Sequence, residues 1–136
     1  MKASHEIIFL YNIPDDESGK KLKGVCFRMG IRVREITPDQ FHHPLGYLAG
    51  LPGFEAAQDS TVNRTFSEAM LVMKQFTSKR MDELFRQWRK SGVPRIPLKA
   101  VMTSQNAQWD SVTLYEELSR EHQAMTEGKA AHGAKK

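Results

Sequence analysis

The chain has a single cysteine, Cys26, among 136 residues. That excludes an internal disulfide, a disulfide-stapled fold and a dithiol redox motif. Long apolar runs are missing too. Ile7 to Tyr11 and Met70 to Met73 are the longest, far short of the roughly 20 residues that cross a bilayer. No apolar signal core with a small-residue cleavage site opens the chain, so the expectation is a cytoplasmic protein without a membrane partner. There is no P-loop, no Gly-rich turn after a strand, no His-Glu-x-x-His and no paired Cys-x-x-Cys. Neither cofactor nor metal is therefore called for, and the reading leans away from an enzyme.

What is present is the composition of one ordinary globular domain, with 40% hydrophobic and 26% charged residues. At this length folding buries roughly two-thirds of the surface the unfolded chain exposes, enough for a core without staples. A single domain is expected over residues 1–126, followed by a flexible C-terminal tail, 127–136. The net charge of +4 is unevenly distributed. Lys20 to Arg34 holds six basic and no acidic residues, whereas Ser104 to Glu127 holds five acidic and one basic. An acidic last helix complementing basic surface elsewhere accounts for this pattern, and a polyanion site is the sharper alternative.

Ile7 to Tyr11 is a β-prone run stopped by Asn12 and Pro14, which predicts a central strand. Asp15 or Asp16 then caps a helix whose Leu22, Val25, Cys26 and Met29 recur at i, i+3, i+4 and i+7 until Gly30. Ile31 and Val33 alternate with Arg32 and Arg34, the pattern of a half-exposed strand. From Thr37 to Thr65 the periodicity is poor, apart from a short helix expected around Asp39 to Ala49, and a connection of this length suggests a binding loop or a surface crossover. Met70 to Met73 predicts a third strand ending near Phe76. Thr77 or Ser78 caps a helix carrying Met81, Leu84, Phe85 and Trp88, closed by Gly92. Ile96 to Met102 reads as a fourth strand whose start is set by Pro97. Thr103 to Gln108 is a loop, after which Trp109, Val112, Tyr115, Leu118 and Met125 mark a last helix.

The order β-α-β, long connection, β-α-β, α places the chain in the α+β or α/β class with a four-stranded sheet. A ferredoxin-like arrangement of split βαβ units with an extra C-terminal helix fits it, as does a small three-layer, mostly parallel sheet.

Few residues suggest chemistry. Neighbouring His42 and His43 point apart on an extended chain and have no third ligand at a familiar spacing, which argues against a metal. Cys26 belongs to an apolar stripe and reads as a small buried hydrophobe. His122 reads as a helix-boundary residue. Lys99, in an apolar strand, would bind an anion if it faced a pocket, with Thr103 and Asn106 at the strand end supplying neutral hydrogen bonds. Leu45, Gly46 and Tyr47, inside Pro-Leu-Gly-Tyr-Leu-Ala-Gly, combine turn-setting and apolar residues, as a segment closing over a core or a ligand does. In the first strand Phe9 and Tyr11 share a face, and Phe-x-Tyr-Asn-x-Pro resembles the first strand of RNA-recognition modules, which stack bases on sheet aromatics. Lys20, Lys21, Lys23, Arg28, Arg32 and Arg34 would then contact phosphates.

Leu10-Tyr11-Asn12, Gly30 to Arg34, Pro44 to Gly50, Met70 to Met73 and Leu98 to Thr103, with Asn106 and Trp109, together make the chain resemble an uncharacterised bacterial family, a domain of unknown function, over about Ile7 to Met125. The resemblance implies no activity, cofactor or site residue. The leading expectation is a non-catalytic binding or regulatory domain for a protein partner or small anionic ligand. A single-stranded nucleic-acid-binding domain is the alternative, and a small-ligand enzyme of undescribed type comes third.

Overall fold

The computed structural model describes residues 6–57 and 65–135, with side chains as far as residue 124. Its first unit is β1 (Ile7–Tyr11), α1 (Glu17–Arg28) and β2 (Arg32–Ile36). The connection holds a 3-10 turn at Pro38–Gln40 and the short α2 (Leu45–Leu48). The second unit is β3 (Met70–Lys74), α3 (Ser78–Lys90) and β4 (Leu98–Val101). A 3-10 turn at Asn106–Gln108 then leads into α4 (Ser111–Lys135).

The helix boundaries follow local chemistry. Asp16 caps α1 by accepting a hydrogen bond from the Gly19 amide, and Thr77 caps α3 by accepting one from the Arg80 amide. Gly30 and Gly92 close the two helices at positive φ, +74° and +80°, where a side chain would be strained. Asn12 and Gln75 take left-handed φ values of 56° and 63° directly after β1 and β3, so β3 ends at Lys74 rather than near Phe76. The last helix starts at Ser111, beyond Trp109, because the Asp110 carboxylate accepts the Thr113 amide hydrogen bond at 2.7 Å. Its backbone stays helical to Lys135, through the stretch from Glu127 expected as a tail.

The four strands form one sheet in the order β2-β1-β3-β4. β1 pairs parallel with β2 and β3 parallel with β4, while the central β1-β3 pair is antiparallel. The α+β class therefore stands, but the split arrangement does not: a split unit places a foreign strand between its two parallel strands, and here each pair is adjacent. The three-layer alternative fits better: two of the three strand pairs are parallel, and the antiparallel central pair, where the two units meet through their first strands, makes the sheet mixed.

Strand alternation then sends two sets of side chains to two cores. Ile8, Leu10, Leu71 and Met73 pack with Leu22, Val25 and Cys26 of α1 and Leu84 and Trp88 of α3. Phe9, Tyr11, Met70 and Val72 pack on the other face with Phe41, Leu45, Leu48 and Phe66 and with Val112 and Leu114 of α4. The result is three layers. At about 1.5–3 kcal/mol for each fully buried large side chain, both faces contribute substantially to stability. Cys26 is buried in the first of these cores as expected, and that burial pushes its thiol up to about 12.

Candidate functional site

Lys99 occupies the second position of β4, in register with Leu71, whose side chain faces α1 and α3. Parity therefore sends Lys99 to the α3 side of the sheet. Between the end of α3 and the start of β4 the chain makes a loop bounded by Gly92 and Pro97. The Val93 amide donates to the Trp88 carbonyl at 2.9 Å, which ties the first residue of the loop back to the helix. Pro94 and Pro97 restrict the backbone that follows, and the loop stands away from α3 and leaves a cavity of about 300 Å³.

Three cations line this cavity: Arg89 from the last turn of α3, Arg95 from the loop, and Lys99 from β4. Its apolar walls come from Phe85, Trp88, Val93, Pro94 and Ile96, and no carboxylate is among its described lining residues. Neither arginine has an ion-pair partner among the described residues. The Lys99 ammonium donates to the Ile96 carbonyl at 3.0 Å and lies 5.5 Å from the centre of the Phe85 ring. One of its three N–H groups is thus used and the cation has an aromatic face beneath it. Burial first, and the charge of Arg95 second, hold its ammonium below the ordinary lysine range. The wall is rigid where it meets the core: the buried Trp88 indole donates to the Leu22 carbonyl of α1 at 3.1 Å, and the Phe85 and Trp88 rings sit 5.8 Å apart.

The other residues expected beside Lys99 lie elsewhere. Thr103 and Asn106 lock onto each other. The Thr103 amide donates to Asn106 Oδ1 at 2.7 Å, the Asn106 amide to Thr103 Oγ1 at 3.1 Å, and Asn106 Nδ2 to the Val101 carbonyl at 3.0 Å. These bonds finish β4 and start the following turn, so the Asn106 amide group is spent on the backbone. Thr103 borders a separate open crevice of about 720 Å³ at the ends of β3 and β4, with Lys74 and Phe54. Leu45 is fully buried against the opposite face of the sheet. Gly46 is a packing glycine: a Cβ there would stand 2.6 Å from the Phe54 ring. Tyr47 is partly exposed, with its ring 4.8 Å from that of His43. This stretch of the connection closes over a core, as turn-setting and apolar residues together allow.

The aromatic platform expected on β1 is also absent. Phe9 is 1% and Tyr11 0% exposed, because Phe41, Phe66 and α4 cover that face. Phe66 stacks between Phe41 at 4.7 Å and Tyr115 at 4.3 Å, and the Tyr11 hydroxyl hydrogen-bonds Ser111 Oγ at 2.8 Å. Burial raises the Tyr11 phenol well above its ordinary range. The basic run is divided as well. Lys20, Lys21, Lys23 and Arg28 stand on α1, with Lys23 paired to Glu35 at 2.9 Å, whereas Arg32 and Arg34 leave β2 on the other side of the sheet.

Sequence reasoning missed two features. Arg89 and Arg95 join Lys99 because the proline-bounded loop brings them round, and the signal was the Pro-Arg-Ile-Pro run between a helix-closing glycine and a strand. Glu6, read as polar lead-in, is buried and receives two hydrogen bonds from Arg80, at 2.8 and 2.7 Å, while Arg80 also donates to the Met29 carbonyl. That pair joins the start of β1 to α3 and the end of α1, and the Glu6 contact holds the Arg80 guanidinium above its ordinary range. His42 and His43 lie ring to ring at 4.0 Å, with the Ala57 amide donating to His43 Nδ1. Among the described residues, no three of His, Cys, Asp or Glu gather as metal ligands, and no helix is long and apolar enough to cross a membrane.

Residues 69–125, from the start of β3 into α4, match the family model described as Domain of unknown function (DUF3783). The description carries no activity, and the matched stretch contains the whole cavity. The earlier part of the resemblance, from Ile7, lies outside the match. Neither a curated protein nor a solved structure matches the chain.

Proposed function

We propose that the protein is a non-catalytic binding domain whose cavity between α3 and β4 takes a small anionic ligand with an apolar body. The observation that carries this reading is the convergence of Arg89, Arg95 and Lys99 on one cavity with no carboxylate among its described lining residues. Three cations held together repel one another, and an anion relieves both that repulsion and the desolvation of Lys99. The volume suits a small ligand, and the Phe85 and Trp88 rings supply apolar contact area beside the charge. The described lining residues include no hydroxyl, thiol, imidazole or carboxylate side chain. No acid–base partner among them stands beside Lys99, so the three cations serve to bind and orient the anion.

The test is a ¹H–¹⁵N titration of the full chain with benzoate and with inorganic phosphate. Benzoate is expected to shift the amides from Arg89 to Lys99, and phosphate to shift the same amides more weakly. Lys99→Ala and Arg95→Ala should each weaken benzoate binding about tenfold, the loss of one charge-assisted contact. Shifts elsewhere, or unchanged affinity in both variants, overturn the assignment.

A further inference from the structure

A second surface lies on the first unit, at the opposite edge of the sheet, and involves none of the residues of the anion cavity. Among the described residues β2 is an edge strand, with β1 on one side and no strand on the other. The Arg32 amide donates to the Glu6 carbonyl at 3.1 Å, so Arg32 turns its backbone groups toward β1. Successive residues of a strand turn them to opposite sides. Val33 and Glu35 therefore present N–H and C=O groups outward, and neither makes a backbone bond on that side among the described residues. Above this edge stands Phe27 of α1, 85% exposed, the most exposed large hydrophobic side chain in the described structure. Beside it Gly24 leaves a notch, since a Cβ there would meet only the Arg28 guanidinium, at 3.6 Å. Phe27, Gly24, Ile31 and Val33 border one shallow depression with Lys23 and Arg32 at its rim.

We infer that the free edge of β2 is a docking strand for an extended acidic segment of a protein partner, which adds to the sheet as a fifth strand. Free backbone groups supply the affinity of such an addition, and alternate side chains supply its specificity. The alternation of β2 prescribes the partner. Arg32 and Arg34 leave the strand on one side, and carboxylates in register with them form cross-strand ion pairs. Val33 leaves on the other side with Phe27 above it, and calls for apolar residues at the intervening positions. Lys23 is already paired with Glu35, so the arginines carry the selection. Two copies of this edge repel each other through the same arginines, which favours an acidic partner over self-pairing.

The test uses the full chain and a short fluorescein-labelled peptide alternating Glu with Val and Thr, its Glu→Lys counterpart, and a single-stranded oligouridine. The acidic peptide is expected to bind and the lysine peptide not to. Hydrogen exchange at the Val33 and Glu35 amides should slow in the acidic complex while that at Arg32 and Arg34, already bonded to β1, stays as it was. Phe27→Ser, a change at an exposed position, should weaken binding about tenfold. Arg32→Glu with Arg34→Glu should abolish it and permit the lysine peptide to bind. Unchanged exchange at Val33 and Glu35 in the bound state overturns strand addition. Preference for the oligouridine over the acidic peptide overturns the protein partner in favour of a phosphate-binding surface, and binding of neither overturns the site.

Discussion

The two βαβ units are built from the same local devices and end differently. Each places a left-handed residue after its first strand, Asn12 or Gln75. Each caps its helix with a side-chain oxygen, from Asp16 or Thr77, and closes it with a glycine. Each then returns an apolar residue onto the helix by a 2.9 Å bond, Ile31 to the Cys26 carbonyl and Val93 to that of Trp88. After Ile31 the first unit enters β2 at once. After Val93 the second inserts Pro94 to Pro97 before Leu98, and that insertion holds the α3–β4 cavity open. A shared set of turns and caps is enough to make the unit; the length of the return loop decides whether it encloses a space.

The first ways to break this comparison lie at equivalent positions near the two helix starts, Gly19 and Arg80. Arg80→Met takes both guanidinium hydrogen bonds from the buried Glu6 carboxylate, and about 3 kcal/mol of stability should be lost in urea unfolding at pH 7. Gly19→Ala drives a methyl to 1.9 Å from the Pro14 carbonyl oxygen. Despite the better helix propensity of alanine, a cost of about 2 kcal/mol is expected by the same measurement. Gly30→Ala and Gly92→Ala sharpen the comparison instead. Both glycines sit at positive φ with open space around the missing Cβ, so each should cost about 1 kcal/mol, and equal costs are the signature of equivalent roles.

The smallest effect is expected at Lys99, where the first unit has no counterpart. Its ammonium is disfavoured in the folded state, so the unfolded chain binds that proton more tightly. Stability therefore rises with pH as Lys99 deprotonates, between its lowered folded value and the ordinary lysine value. Lys99→Gln should raise the unfolding midpoint slightly at pH 7, and the advantage should vanish above the ordinary lysine value. With benzoate present the wild type should gain midpoint and the variant should not, which separates a strained cation from a binding one.

Helices α1 and α3 and the four strands were legible in the sequence, because period and punctuation are local. The stripe Leu22, Val25, Cys26 and Met29 can face a core only as a helix, and Gly30 and Gly92 stop helices wherever they occur in that setting. Lys99 was legible as a candidate because a lysine in an apolar strand is out of place. Its companions were not. Thr103 and Asn106 are near it in sequence, but β4 ends at Val101 and their side chains close that end. Arg89 and Arg95 are near it in space because a proline-bounded loop folds back. Phe9 and Tyr11 showed their shared face in the alternation of β1, whereas whether that face was open or covered depended on Phe66 and α4, brought back from more than fifty residues away.

By itself the sequence determined the elements, their caps and the two faces of each strand, since backbone sterics, hydrogen bonding to caps and the periods of helix and strand act within a few residues. The tertiary structure alone decided that β1 and β3 pair antiparallel at the centre, that α4 seals the aromatic face, and that three scattered cations meet at one cavity. Those outcomes depend on burying both faces of a sheet at once, and no local window contains that requirement.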